Sequence, residues 1–245
     1  MHGNGAKIIA EESIARRGKR AASGAGGATL NIEVIATAVC PTGAGYDVKE
    51  AKGGPAHRAL PPVEQWNPPF CGDIDMRIAR DGTWFYCGTP IGRPALVRLF
   101  STILRKDPDG YVLVTPVEKV GIKVEDVPFL ALEMTVAHQG ADQVLRFLTN
   151  VEDWVEAGAS HPFRFEKAAS DGIKPYIHVR GDLWALVSRA LLLDLVELGE
   201  IGEHDGARCF GVGSAGSFFP IANADEIESV DTNQFINMRT VKRPI

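Results

Sequence analysis

Ile74, Met76 and Ile78 alternate with Asp73, Asp75 and Arg77. This period of two marks a strand with one face in a core and one in water. Asp81-Gly82 supplies a hairpin turn, and Thr83–Cys87 is expected to return as a second strand. Pro94 suits a first helical turn. Behind it Leu96, Val97, Phe100, Ile103 and Leu104 share one helical face, with Asp107-Pro108-Asp109-Gly110 as the expected stop. Tyr111–Thr115 is a strand that ends before Pro116. Val120, Ile122 and Val124 alternate with Lys119, Lys123 and Glu125, predicting another strand. Leu130, Leu132, Met134 and Val136 predict the next, and a turn at Gly140 leads into Val144–Thr149.

The second half repeats the theme. Phe163–Glu166 reads as a short strand, Asp171-Gly172 as a turn and Tyr176–Val179 as a strand. Asp182 is the expected N-cap of a helix running from Leu183 to about Leu198, ended by Gly199. LWALVSRALLLDLVEL is apolar nearly all round, which predicts burial on several sides. IGEHDG reads as a loop, followed by strands around Cys209–Val212 and Ser217–Ile221. Ala95-Leu96-Val97 matches Ala185-Leu186-Val187, which suggests an internally duplicated strand–helix–strand unit. Short turns between neighbouring antiparallel strands make the fold class α+β. Two tandem, similar units are expected, each an antiparallel sheet packed on a helix, over residues 60–137 and 138–222.

Residues 1–59 differ from the rest. SGAGGATLN, PTGAGYD and AKGGPAHRA are low in complexity, and only Ile32–Val39 has strand character, so the segment is expected to be disordered. Residues 223–245 read as a polar tail. The first 59 residues carry 8 basic and 5 acidic side chains, a net of +3, leaving −8 of the chain's −5 total on the remainder. An acidic body argues against nucleic acid as partner. No apolar run approaches the roughly 20 residues that span a bilayer, and no apolar region follows Arg16–Arg20 at secretory spacing; a cytoplasmic protein is expected. Cys40, Cys71, Cys87 and Cys209 have no C-x-x-C or zinc spacing and read as free thiols, with a Cys71–Cys87 bridge as the alternative.

CGDIDMRIARDGTWFY, GTPIGRPALVRLFSTIL, DGYVLVTPVEKVGI, TNVEDWVEAGASHPFRFE, KPYIHVRGDLWALVSRAL and GSFFP together resemble the bacterial domain-of-unknown-function family 1285, from about Leu60 to Ile221. The resemblance implies two tandem α+β units packed together. It implies no established enzymatic activity, and a suggested role in bacterial signalling or regulation. Relatives usually carry V-W-S-G-G before F-F-P, whereas this chain has Val212-Gly213-Ser214-Ala215-Gly216; loss of that tryptophan would remove an anchor or part of a pocket.

Lys174, Tyr176, His178 and Arg180 fall at alternate positions of one predicted strand and so on one face. An aromatic ring, an imidazole and two cations there could hold a small anionic ligand. Arg77 and Arg93, each near a strand end, are further ligand candidates. The competing reading is a salt-bridged sheet face. Gly211 to Gly216 spells G-x-G-x-x-G, but Ser217-Phe218-Phe219-Pro220 is strand-like where nucleotide binding needs a helix, so a turn is expected. Asp73 and Asp75, or the Glu152, Asp153, Glu156 and His161 cluster, are the residues a hydrolase would use. Asp73 and Asp75 could also hold a divalent cation but read rather as a face salt-bridged by Arg77; the Glu152 set has no metal-ligand spacing, and no metal or cofactor is expected. The leading expectation is a non-catalytic, ligand-binding or regulatory protein with a groove between its two units. A protein partner, or a second copy of the chain docked on an exposed sheet edge, is the remaining alternative.

Deleting residues 1–59 should leave the melting temperature unchanged, because Gly/Ala-rich sequence buries too little apolar area to offset its ordering entropy. A fall of many degrees in the truncated chain would instead make Ile32–Val39 an integral strand.

Overall fold

The computed structural model describes residues 60–138, 140–168 and 172–225. Ile32–Val39, the Asp171 end of the expected turn and the tail beyond residue 225 lie outside them. The first unit contains β1 (Phe70–Ile78), β2 (Trp84–Tyr86), β3 (Thr89–Pro90), α1 (Pro94–Thr102), β4 (Leu104–Asp107), β5 (Gly110–Val114) and β6 (Lys119–Val124). The second contains β7 (Phe129–Ala137), β8 (Val144–Thr149), β9 (Trp154–Glu156), β10 (Phe163–Lys167), β11 (Ile173–Arg180) and β12 (Leu183–Val187). It continues with α2 (Arg189–Glu197), β13 (Glu200–His204), β14 (Ala207–Ser214) and β15 (Ser217–Asn223).

The two six-stranded sheets share one plan. In the first the order is β3-β2-β1-β6-β5-β4, and in the second it is β10-β11-β12-β7-β8-β9. Each joins two antiparallel meanders through a parallel pair made by the first and last strands, β1 with β6 and β7 with β12. The duplication is therefore real, but it runs β1–β6 onto β7–β12. The match of Ala95–Val97 with Ala185–Val187 is overturned, since the first triplet is helical and the second is strand. An Asp-Gly pair immediately precedes or opens the fifth strand of both units, Asp109-Gly110 and Asp171-Gly172. A helix separates the meanders only in the first unit; in the second, α2 follows the sheet and leads to a separate antiparallel sheet, β13-β14-β15. The fold is mixed and dominated by sheets, so a helix against each sheet does not describe it.

Three other expectations change with physical cause. The helix expected over Leu183–Leu198 begins only at Arg189, and its N-cap is Ser188, whose side chain accepts from the Leu191 N–H. Leu183–Val187 is a central strand between β11 and β7, alternating buried and half-buried. A strand covered on both faces reads as a continuous apolar run, which periodicity confuses with a buried helix. Nor is α2 covered on several sides: Leu191 and Leu195 are buried, while Leu193 is 44% exposed. Likewise α1 stops at Thr102, and Leu104–Asp107 is strand β4. Asp107 to Gly110 turns the β4–β5 hairpin rather than ending a helix. IGEHDG is mostly strand β13, with Asp205 and Gly206 both at positive φ in the turn.

The G-x-G-x-x-G stretch lies at the β14–β15 hairpin, and Ala215 and Gly216 form its tip at φ 47° and 71°. The tip is fastened to β8 and β9. Buried Ser214 accepts from the Leu145 N–H at 2.9 Å and donates to the Ala157 carbonyl at 2.7 Å, and Gln143 donates to the Gly213 carbonyl at 2.8 Å. These bonds anchor the hairpin with glycine at 213.

One hydrophobic cluster runs through all three sheets. Trp84 stacks on Phe100 in the first unit. Phe163 meets Phe147 and Phe219 edge to face in the second. Arg105 on β4 is 9% exposed; it donates to the Val63 and Trp66 carbonyls, each at 2.7 Å, and pairs with Asp107. It pins the proline-rich entry segment across the sheet, and its hydrogen bonds hold the Asp107 carboxyl below its usual pKa. Among the described residues Cys71, Cys87 and Cys209 are free. No helix there is long and apolar enough to cross a membrane.

Leu195→Ala should lower unfolding free energy by about 2–5 kcal/mol, because the side chain is fully enclosed. Leu193→Ala on the same helix should stay within about 0.5 kcal/mol. Equal losses in denaturant titration would contradict the one-sided packing of α2.

Candidate functional site

The four side chains expected on one face of β11 are divided by a bulge. Tyr176 pairs with Leu186 and His178 with Trp184, but the register shifts between His178 and Arg180, and Arg180 comes opposite Leu183. Directly opposed residues share a face, so Arg180 joins the side of Ile177 and Ala185 while Tyr176 and His178 remain on the other. The expectation of a common face fails at that residue.

Each member of the row has a partner inside the protein. Lys174 and Tyr176 donate to the two carboxylate oxygens of Asp126, both at 3.0 Å. Tyr176 is 1% exposed, and burial followed by the Asp126 carboxylate raises its pKa. The Asp126 hydrogen bond raises that of Lys174. Both ring nitrogens of His178 face carbonyl oxygens, Ser160 at 3.2 Å and Gly181 at 2.6 Å. Its ring lies against His161 and Trp184. Arg180 donates to Asp153 at 2.8 Å and to the Ser101 carbonyl at the end of α1 at 2.7 Å, with its guanidinium over Phe129. The row thus ties the second sheet to the linker at Asp126 and to α1.

Arg77 pairs with Glu125 at 2.6 Å and covers the Phe85 ring. Arg93 is exposed at the N-cap of α1. The carboxylates a hydrolase would need are scattered. Asp73 lies on Gly121, where any Cβ would collide with its carboxylate. Glu152, Asp153 and Glu156 pair separately with Arg98, Arg180 and Arg146. Among the described residues no group of His, Cys, Asp and Glu could hold a metal ion.

A cleft of about 340 Å³ lies where the units meet. The β1–β2 turn forms one side, Ile91, Gly92 and the first turns of α1 a second, and Asn150 and Glu152 close it from the other unit. Three local features build it. Gly82, at φ +78°, lets the β1–β2 turn approach closely; a Cβ there would come within 2.8 Å of the Asn150 amide and 3.0 Å of Leu130. Asn150 takes the place of a strand neighbour: its N–H donates to the Leu130 carbonyl at 2.9 Å and its Oδ1 accepts from the Leu130 N–H at 3.0 Å. Glu152 sits at φ +65° in the β8–β9 turn, a conformation that glycine or asparagine adopts at lower cost. Its carboxylate meets the Arg98 guanidinium, 54 residues away in sequence.

Two further cleft features carry chemistry. Trp84, 1% exposed, lines the cleft, and its Nε1 has no hydrogen-bond partner. Asp81 accepts from the Thr83 N–H at 3.0 Å, and that interaction lowers its pKa. Of the candidate site residues named from the sequence, only Glu152, from the hydrolase alternative, lines the cleft, with Arg93 between the lining residues Gly92 and Pro94. Trp84, Arg98 and Asn150 carry no sequence motif. The one local signal was an acidic side chain within the tight turn Thr149–Asp153.

Two family models match. The description "Domain of unknown function (DUF1285), N-terminal domain" covers residues 61–127, and "Protein of unknown function (DUF1285), C-terminal domain" covers 128–221. A DUF1285 family protein from Silicibacter pomeroyi DSS-3 is 54% identical, with 72% of this chain and 92% of that one covered at a TM-score of 0.63. A DUF1285 family protein from Shewanella baltica OS155 is 27% identical over 51% of this chain and 91% of that one, at a TM-score of 0.41. Among curated proteins none matches the chain.

Arg180→Ala should destabilise the protein by about 1–3 kcal/mol, because it strands Asp153 and the Ser101 carbonyl at the junction of the units. Arg93→Ala should change stability by less than about 0.5 kcal/mol. Chemical denaturation of both variants checks the contrast, and an Arg180→Ala protein as stable as the parent would remove this residue from the junction.

Proposed function

We propose that this chain, which belongs to the DUF1285 family, is a non-catalytic binding protein of a regulatory kind that takes a small ligand in the cleft between its two units. The observation that carries this reading is the cleft itself. It falls within the roughly 300–1,000 Å³ range of small-molecule sites, it draws lining residues from both units, and it holds polar groups whose arrangement folding does not require. The buried N–H of Trp84, a lining residue, lacks an acceptor among the described residues, a deficit of about 1–3 kcal/mol. Glu152 keeps an unfavourable backbone conformation at the same place. Strain and unmet polar groups concentrate where function outweighs stability.

The spacing of titratable groups supports a non-catalytic role. The cleft contains two carboxylates and an arginine but no histidine or cysteine. No nucleophile–base pair stands beside them. A ligand that bridges β1–β2 and α1 on one side and the β8–β9 turn on the other would stiffen the junction. A binding event could thereby be passed to a partner.

A thermal-shift screen of the full chain against metabolites and nucleotides tests the reading. At least one compound should raise the melting temperature with logarithmic dependence on its concentration. Gly92→Phe should abolish that shift, because a Cβ at this lining position meets no atom within 4 Å and a ring would occupy the cleft without disturbing the fold. Absence of stabilisation by any compound, or stabilisation that survives Gly92→Phe, would move the site elsewhere.

A further inference from the structure

We infer that the cleft recognises a small zwitterion, an ammonium and a carboxylate a few bonds apart on an apolar stem, as in a free amino acid; this rests on the cleft being the ligand site. The argument begins with the ion pair across its mouth. Arg98 on α1 and Glu152 on the facing turn are 27% and 62% exposed. A pair so wetted contributes at most about 1 kcal/mol, and it opens cheaply.

What enters must then satisfy both charges. A lone carboxylate would pair with Arg98 but face Glu152 and Asp81, while a lone amine would pair with the carboxylates and leave Arg98 without its partner. A zwitterion serves both: its carboxylate takes Arg98, and its ammonium takes Glu152 and Asp81. One ion pair is exchanged for two or more.

Trp84 also lines the cleft, with its Nε1 buried and without an acceptor among the described residues. Ile91 and Val97, both half-buried and both lining the cleft, offer apolar surface to the stem. Gly92 leaves the space beside them open.

The test uses the full chain and compounds with one carbon skeleton: L-leucine, isocaproate without the amine, and isoamylamine without the carboxylate. L-Phenylalanine, phenylpropanoate and phenethylamine form a second series. Calorimetry should show at least one amino acid binding, with each cropped analogue weaker by about tenfold or more, because a site built for both charges rejects a ligand that lacks one. Arg98→Gln should weaken binding of the amino acid. A cropped analogue that binds as well as its parent overturns the zwitterion assignment. So does amino-acid binding unchanged by Arg98→Gln. If the amino acids fail but another metabolite binds and is blocked by Gly92→Phe, the ligand class is wrong and the cleft remains the site. If nothing binds in that position, both conclusions fall.

Discussion

Everything in this fold hangs on the parallel pairing of the first and last strand of each six-stranded sheet. β1 must lie beside β6, and β7 beside β12. Each sheet closes only when its whole unit has been threaded, so neither meander is complete alone. The backbone marks the closure in both units. Past β6 the Glu125 N–H donates to the Ile78 carbonyl at 3.0 Å, and past β12 the Ser188 N–H reaches the Ala131 carbonyl at 3.4 Å. Parallel closure needs pairing over long sequence separation, which is entropically slow to form.

The same closure sets where the chain leaves each unit. The linker Glu125-Asp126-Val127-Pro128 comes out beside the end of β1, and Asp126 is drawn to Lys174 and Tyr176 on β11. Arg180 fastens the other side, from β11 to the last turn of α1. These polar ties flank a continuous apolar cluster that runs across both units. Buried apolar area supplies most of the cohesion, while the ion pairs and carbonyl bonds select one relative placement of the sheets. The cleft is what remains open at the rim of that junction. Its mouth is spanned by a pair whose Glu152 side chain is 62% exposed, whereas Arg180 and Asp153 are more enclosed, at 19% and 30%.

Strands with one wet face were plain in the sequence. Ile74, Met76 and Ile78 are buried as their alternation required, and Asp81-Gly82 turns the first hairpin. The family resemblance from Leu60 onward is matched by family models over residues 61–221. Central strands were harder. Leu183–Val187 lies between two neighbours and shows no polar alternation, so it passed for the start of a helix. Leu104 seemed to extend a helical face because position 104 suits both α1 and the strand that follows. Duplication was apparent as a recurrence but was set in the wrong register, because short apolar triplets recur by chance while strand order leaves no local trace.

The cleft illustrates the same division. Alternation along β11 did identify residues with important interactions, since Lys174, Tyr176, His178 and Arg180 are all tied into the junction. A single extra residue in the ladder sent Arg180 to the other face, and hydrogen-bond register is not written in side-chain type. Arg98 and Glu152, like Gly82 and Asn150, meet only through folding, from segments with no mutual signal in the chain. The sequence by itself determined local matters: which stretches form strands, where hairpins turn, the acidic body and its basic extension. Tertiary structure alone decided which strands become neighbours, which charges are consumed by internal pairs and which donor is left without an acceptor. Those outcomes depend on distances between residues far apart in the chain, and local preference places no limit on such distances.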